Sequence, residues 1–123
     1  MMHPKSPKWL QDILEACELI EAAASGHSLA DYEQDRLLRS AVERNFEIVG
    51  EALNRIRQND LALAERIPEN RDVIGFRNLL IHGYDTIDHR RVWEVIQKDV
   101  PKLRGLIAQL LQEAGSPPQN PEE

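Results

Sequence analysis

The chain has 123 residues, of which 41% are hydrophobic and 29% are charged, and this balance predicts one globular domain. Its formal net charge of −6, from 15 basic and 21 acidic residues, argues against a protein that coats nucleic acid through a broad basic surface. A role on a nucleic acid would therefore depend on a local site.

The cysteine content and the ends of the chain bear on its location. Cys17 is the only cysteine, so no disulfide can form within the chain, which predicts a reducing, cytoplasmic setting. The N-terminus lacks the apolar run of a signal peptide, and no stretch approaches the roughly 20 apolar residues that span a bilayer. We therefore expect no membrane association.

The first predicted helix runs from about Pro7 to Ala24, with Ser6 as its N-cap and Gly26 beyond its end. Apolar residues recur along it at helical spacing and predict one buried stripe. The stripe consists of Leu10, Ile13, Leu14, Cys17, Ile20 and Ala24. Cys17 is therefore predicted to be an inert core residue.

The second predicted helix is the longest, from about Ala30 to Arg57. Its broad apolar face indicates contacts on two sides, as for a central bundle helix or one that also meets a second subunit. Glu43, Glu47 and Glu51 form a separate line at four-residue spacing. This line fits either a solvated face or an acidic wall beside an active cleft.

A connection over residues 59–70 separates this helix from a third, predicted over 71–81. Gly83 then provides a C-terminal stop in the left-handed conformation. Asp88 is predicted to cap the last helix, and Pro101 to kink or break it, because proline removes an intrahelical hydrogen bond.

Helices of this number and length predict an all-α fold, an antiparallel bundle of four or five helices. No segment shows the two-residue alternation of a strand. The bundle is predicted to form a single domain over residues 1–114. Residues 115–123 are rich in proline and polar groups and are predicted to be a disordered tail.

One stretch, residues 76–85, concentrates chemically useful side chains. It holds Arg77, Asn78, His82 and Tyr84 around a predicted helix end. A guanidinium can hold two phosphate oxygens and stays charged, while an imidazole exchanges protons near neutral pH. Together they provide the minimum for cleaving RNA without a metal or cofactor. On chemistry alone, the pattern favours a structural role with His82 as a C-terminal cap near the helix dipole.

On a regular helix, the side chains of this stretch would not all point to one active centre. On an unbroken helix Arg77 and His82 lie about 140° apart, whereas Arg77 and Tyr84 share a face. A single centre therefore needs the helix to end near His82, or two copies of the motif to meet across a dimer. The sequence leaves both options open.

The same residues carry a family resemblance. The string RNLLIHGYD resembles the R-x4-H-x-Y motif of the HepT-like toxins of the HEPN (higher eukaryote and prokaryote nucleotide-binding) superfamily. VERNFEIVGEALNRI resembles the second long helix of that family, and VWEVIQKDVPKLRGLI its closing helix. The likeness covers roughly residues 8–112, with the three blocks in the family's order.

The resemblance implies a HEPN-type bundle with Arg77 and His82 as the catalytic pair and Asn78 as a supporting polar residue. It implies that Tyr84 is the tyrosine modified with AMP by a minimal nucleotidyltransferase antitoxin. It further implies RNA as the substrate, a homodimer that builds the cleft, and 2′,3′-cyclic phosphate products. Glu43 and Glu47 match a helix that flanks the site, with no firm role.

Several alternatives remain. A metal site of Asp85, Asp88 and His89 with His82 matches no standard ligand spacing, so turn formation and capping are favoured. Arg90 and Arg91 fit either positive potential for RNA or ATP phosphates or simple solvation. The whole chain could instead be a non-catalytic module that binds the nucleotidyltransferase or a nucleotide, which the net acidity favours.

Overall fold

The computed structural model describes residues 2–67 and 87–115. These residues form five helices and no strand. The helices are α1 (Ser6–Ala24), α2 (Leu29–Gln34), α3 (Arg36–Asn59), α4 (Leu61–Ala64) and α5 (His89–Gly115). The all-α prediction is confirmed for this part of the chain.

Helix α1 follows the predicted stripe closely. Leu10, Ile13, Cys17 and Ile20 are completely buried, and burial raises the pKa of the Cys17 thiol to about 12. The predicted core role of Cys17 is therefore confirmed. The predicted cap is wrong: Ser6 is the first helical residue, and its hydroxyl turns inward.

The predicted second helix is divided in the structure. Asp35 adopts an extended conformation (φ −106°, ψ 99°) between α2 and α3, and its side chain accepts a hydrogen bond from the backbone N–H of Leu38. The guanidinium of Arg39 donates to the backbone carbonyl groups of Tyr32 and Glu33, just before the break. The prediction of one continuous helix was wrong because Asp35 caps α3.

The connection after α3 is also more ordered than predicted, since it contains the short helix α4. Asp60 begins that turn and lies buried. Its carboxylate accepts hydrogen bonds from the backbone N–H of Leu63 (3.2 Å), the backbone N–H of His3 (2.9 Å) and the hydroxyl of Ser6 (2.8 Å). We call these four residues the Asp60 clasp. The clasp ties the start of α1 to the end of α3.

Helix α5 begins as predicted, because the Asp88 carboxylate accepts hydrogen bonds from the backbone N–H groups of Arg90 and Arg91. The predicted break at Pro101 does not occur, and the helix continues through it to Gly115. Proline leaves the carbonyl four residues earlier without its helical donor. That residue, Gln97, is exposed, so water can serve its carbonyl.

The other two long helices, α3 and α5, both pack against α1. The Asp60 clasp places the start of α1 against the end of α3. Glu21 near the end of α1 pairs with Arg104 of α5 (2.6 Å), while Ala24 and Pro101 line one surface pocket. Helix α1 therefore runs antiparallel to both neighbours, as the bundle prediction requires.

The two residues that bound the undescribed stretch lie at opposite ends of α5. Arg66, next to Ile67, forms a two-pronged ion pair with Glu113, near the end of α5. Ile87 immediately precedes the start of α5. Glu113 and His89 are separated by about 36 Å along the helix axis. The predicted helix over 71–81 lies outside the described residues. Of the predicted tail over 115–123, Gly115 belongs to α5, and residues 116–123 lie outside the described residues.

Candidate functional site

The four residues of the predicted site lie outside the described residues: Arg77, Asn78, His82 and Tyr84. Their geometry therefore remains a prediction. The structure does describe the flanking positions that the sequence singled out, namely Glu43, Glu47 and the first turn of α5.

The predicted acidic line on α3 has two parts. Glu47 lies 3.4 Å from Arg44 and Glu51 lies 3.2 Å from Arg55, so both carboxylates pair with arginines on their own helix surface. Glu43 is half-buried and makes no ion pair among the described residues. The solvated-face interpretation therefore fits Glu47 and Glu51, whereas Glu43 belongs to a different environment.

That environment is an aromatic group at the end of the bundle where α2, α3 and α5 meet. Tyr32 of α2 is completely buried, with its ring centroid 6.1 Å from that of His89 in an edge-on arrangement. The same ring lies 5.4 Å from the ring of Trp93. We call Tyr32, Glu43, His89 and Trp93 the Tyr32 cluster. The cluster holds the first turn of α5 against α2.

Two buried polar atoms of the cluster lack hydrogen-bond partners in the described part of the chain. They are the hydroxyl oxygen of Tyr32 and Nδ1 of His89. Leaving a buried polar atom unpaired costs about 1–3 kcal/mol, and most buried polar groups in proteins are paired. The cluster is therefore not arranged for greatest stability.

Electrostatics in the cluster favour uncharged side chains. Burial raises the pKa of the Glu43 carboxyl, Glu47 adds to the increase, and His89 and Arg39 oppose it. Burial also raises the pKa of Tyr32 well above its usual range, with a further contribution from Glu43 and an opposing one from Arg39. The Tyr32 hydroxyl therefore stays protonated at any physiological pH.

Sequence reasoning did not single out Tyr32, and it considered His89 only as a possible metal ligand. Asp88 caps α5 and His89 packs on Tyr32, so neither is arranged with the other as a metal ligand. In the described ranges, no group of three or more histidine, cysteine, aspartate or glutamate side chains could hold a metal ion. Tyr32 carried no sequence signal because its position depends on the break at Asp35.

A surface groove with a volume of about 680 Å³ lies elsewhere, between the start of α1 and the second half of α3. Its charged lining residues are Lys5, Lys8, Asp12, Arg44, Glu47, Glu51 and Arg55. Most of these charges are paired along their own helix, as for Lys8 and Asp12 at 3.0 Å. The groove therefore shows no strong preference for an anion or a cation.

The architecture defines the class of protein: an all-α bundle whose helices contain no membrane-crossing candidate within residues 2–67 and 87–115. Comparison with known proteins then gives the family. The HepT-like family, described as ribonuclease HepT-like, matches residues 13–110. The chain belongs to this family of ribonucleases.

Curated relatives agree with that assignment. The chain is 32% identical over 109 residues to a candidate ribonuclease of Caldanaerobacter subterraneus, covering 88% of this chain and 96% of the relative. It is 36% identical over 102 residues to a candidate ribonuclease HepT of Thermococcus cleftensis, covering 83% and 92%. A candidate ribonuclease of Methanocaldococcus jannaschii is 34% identical over 98 residues, covering 78% and 87%. No solved structure gives a significant match.

Proposed function

We propose that this protein is a metal-independent endoribonuclease, the toxin of a toxin–antitoxin pair, with Arg77 and His82 as its catalytic residues. The observation that carries the proposal is an intact R-x4-H-x-Y sequence, from Arg77 to Tyr84, inside the range matched by a ribonuclease family. Ribonuclease names among relatives that align over most of their length support the same activity.

The proposed reaction is attack of a ribose 2′ oxygen on the adjacent phosphorus. The new 2′ O–P bond forms as the bond from phosphorus to the 5′ oxygen breaks. A base removes the 2′-hydroxyl proton and an acid protonates the departing 5′ oxygen, leaving a 2′,3′-cyclic phosphate and a 5′-hydroxyl. His82 serves in proton transfer because imidazole titrates near neutral pH. Arg77 stabilises the charge that develops on the phosphate oxygens.

The reaction needs both an acid and a base, and one His82 serves in one of these roles at a time. A homodimer in which two motifs face one cleft would provide a second His82 and a second Arg77. We propose this dimeric cleft, with Asn78 supporting the catalytic pair. It also removes the difficulty that Arg77 and His82 lie on different faces of an ideal helix.

Control of the activity is proposed to occur at Tyr84. In a reaction with ATP catalysed by a minimal nucleotidyltransferase antitoxin, the phenol oxygen attacks the α-phosphorus and pyrophosphate leaves. The phenol proton passes to solvent. The attached AMP adds bulk and negative charge beside the cleft and repels RNA phosphates.

The described residues closest in sequence after this tyrosine are Ile87, Asp88 and the first turn of α5. Chain connectivity keeps the Cα of Tyr84 within about 11 Å of the Cα of Ile87, two residues before His89. The Tyr32 cluster anchors that part of the chain to α2. We assign no chemical step to Glu43 or Glu47.

The test is RNA cleavage by purified protein in EDTA, comparing wild type with His82→Ala. His27→Ala is the matched control, since His27 is exposed and lies in the turn between α1 and α2. We expect wild type and His27→Ala to cut RNA and His82→Ala to be inactive while keeping the same helical circular dichroism. Equal cleavage by His82→Ala would refute the assigned role.

The other candidate is a non-catalytic HEPN module that binds the nucleotidyltransferase or a nucleotide. The net charge of −6 favours it, because RNA is an anion. This function becomes the better one if wild type with an unmodified Tyr84 cuts none of several RNAs. Binding of the nucleotidyltransferase should then weaken in Arg77→Ala.

A further inference from the structure

Charge is distributed unevenly between the described regions. Residues 2–67 contain eight lysines and arginines against twelve acidic residues, whereas α5 contains five lysines and arginines against three acidic residues. The closing helix is therefore locally basic within an acidic protein. A local excess of this kind attracts anions even when the whole chain repels them.

Three of these cations lie along one line on the exposed surface of α5. Arg91, Lys98 and Lys102 are separated by seven and four residues, which places them within about 40° of one another around the helix axis. All three side chains are exposed. The line extends about 16 Å along the helix from its first turn. We call these three residues the basic stripe.

The three cations of the basic stripe make no ion pair among the described residues, as is also true of Arg36, Arg57 and Arg90. Four arginines elsewhere do pair with carboxylates: Arg44, Arg55, Arg66 and Arg104. Within the stripe, Lys98 and Lys102 are like charges at i,i+4, an arrangement that destabilises a helix by roughly 0.2–0.5 kcal/mol. Glu94 is the one exposed carboxylate in the same part of the helix. Glu94 lies three residues after Arg91 and four before Lys98, and half-buried Asp99 lies three before Lys102, so these two carboxylates offset part of the charge and leave the stripe with an excess of one cation.

The surface around the stripe is polar. The large hydrophobic side chains exposed in the described residues are Leu19, Leu37 and Leu61, and none of them belongs to α5. A stable protein–protein interface normally has an apolar centre, whereas phosphate contacts need only cations and water. The stripe therefore fits a polyanion better than an apolar protein surface.

We propose that the basic stripe binds the phosphate backbone of single-stranded RNA. The proposal rests on the proposed function, since it makes RNA the ligand. Arg91 lies in the first turn of α5, close in sequence to the motif, and Lys98 and Lys102 lie progressively farther along. In this proposal the strand follows the axis of α5 along these three side chains. Its contacts are with phosphates, so they are independent of base sequence.

The test is equilibrium binding of fluorescent, 2′-O-methylated single-stranded RNA over a range of salt concentrations. Such RNA lacks the free 2′-hydroxyl, so binding is measured without cleavage by the proposed route. The test variant is Lys98→Gln with Lys102→Gln. The matched control is Lys5→Gln with Lys8→Gln, which removes the same charge from the exposed start of α1. All four lysines are exposed, and circular dichroism checks that both variants fold.

We expect the stripe variant to bind several-fold more weakly than wild type at low salt, to a similar extent for RNAs of different sequence. Each lost phosphate contact should reduce the slope of log affinity against log salt by about 0.7, so two lost contacts should reduce it by about 1.4. The control should keep the wild-type slope. Equal slopes and affinities in both variants would overturn the proposal.

Two further outcomes separate the stripe from the catalytic proposal. If the stripe variant loses self-association or nucleotidyltransferase binding while its RNA slope is unchanged, the stripe binds protein and the RNA proposal is wrong. If wild type binds RNA through the stripe but cuts no unmodified RNA, the stripe proposal stands and the ribonuclease proposal fails. The binding assay can therefore refute the stripe proposal, and the cleavage assay the ribonuclease proposal, independently of each other.

Discussion

The two ends of α3 differ in whether their buried polar groups have hydrogen-bond partners. At one end, the Asp60 clasp gives its carboxylate three hydrogen-bond donors. At the other, the Tyr32 cluster contains two buried polar atoms without partners in the described part of the chain. The clasp is built as a structural joint. The cluster carries unpaired polar groups next to the chain segment that leads back to the predicted catalytic motif.

The pKa values of the acidic side chains at the two ends of α3 are shifted in opposite directions. Burial opposes ionisation of Asp60, but hydrogen bonds from His3, Ser6 and Leu63 outweigh it and lower the pKa of Asp60. At the cluster, burial prevails and raises the pKa of Glu43. One end therefore stabilises a negative charge and the other disfavours it. This difference can be tested by mutation and by pH.

The largest expected effect is at the clasp. Asp60→Ala removes the N-cap of α4 and leaves the buried Ser6 hydroxyl and two backbone N–H groups without their acceptor. We expect a loss of about 2–4 kcal/mol of unfolding free energy, measured by urea denaturation. Glu65→Ala, an exposed change just after α4, is the control and should be nearly neutral. A loss below about 0.5 kcal/mol for Asp60→Ala would mean that the clasp is not a structural joint.

At the Tyr32 cluster, removal of a polar atom should increase the unfolding free energy instead of lowering it. Tyr32→Phe keeps the buried ring and deletes the unpaired hydroxyl. We expect unfolding free energy to rise by about 1 kcal/mol, since an unpaired buried hydroxyl is unfavourable. Thermal denaturation followed by circular dichroism measures the change. A clear fall in Tm would show that the hydroxyl has a stabilising partner, and the contrast between the two ends would disappear.

A smaller effect is expected from pH. The lowered pKa of Asp60 contributes stability that is present above its unfolded value, near 3.9, and is lost as pH falls through the folded value. The raised pKa of Glu43 acts in reverse: stability is greatest below the unfolded value, near 4.3, and is lost as pH rises through the folded value.

Matched amide variants separate these two contributions. Asp60→Asn should make stability less sensitive to acid, whereas Glu43→Gln should raise stability at neutral pH relative to wild type. Urea denaturation between pH 3 and pH 7 gives both curves. Parallel curves for wild type and Glu43→Gln would contradict the assigned environment of Glu43.

The smallest effect is expected at a surface ion pair near the clasp end of the bundle. Arg66 and Glu113 pair through two contacts, but both side chains are about half exposed. Exposed pairs contribute little, because water and salt screen them. Arg66→Gln should therefore leave Tm almost unchanged. A loss comparable to that of Asp60→Ala would mean that charge pairing, and not the clasp, joins this end.

Helical spacing predicted α1 and α5 well, because each has one apolar stripe facing a single core. The same spacing predicted α2 and α3 as one helix, because the residues around Asp35 include no glycine or proline to mark a break. The break depends on Asp35 capping α3 and on Arg39 reaching back to two carbonyl groups. Hydrogen bonds from side chains to the backbone, such as these, leave no trace in the spacing of apolar residues.

The candidate site was predictable to a different extent. The motif from Arg77 to Tyr84 was recognisable because its residue types and spacing form a short, distinctive string. The Tyr32 cluster was not, since it joins residues of α2, α3 and α5 that are far apart in sequence. The line of Glu43, Glu47 and Glu51 was predicted correctly as one helix face. The sequence did not show that Glu43 alone is half-buried in the Tyr32 cluster.

The most direct test of the central claim is the chemistry of the RNA ends that the wild-type protein leaves in EDTA. We expect 5′-hydroxyl ends, which a polynucleotide kinase can label directly, and 2′,3′-cyclic phosphates on the other fragments. The same ends should form with and without added Mg²⁺. Fragments with 5′-phosphate ends that appear only when a divalent metal is present would contradict a metal-independent ribonuclease based on Arg77 and His82.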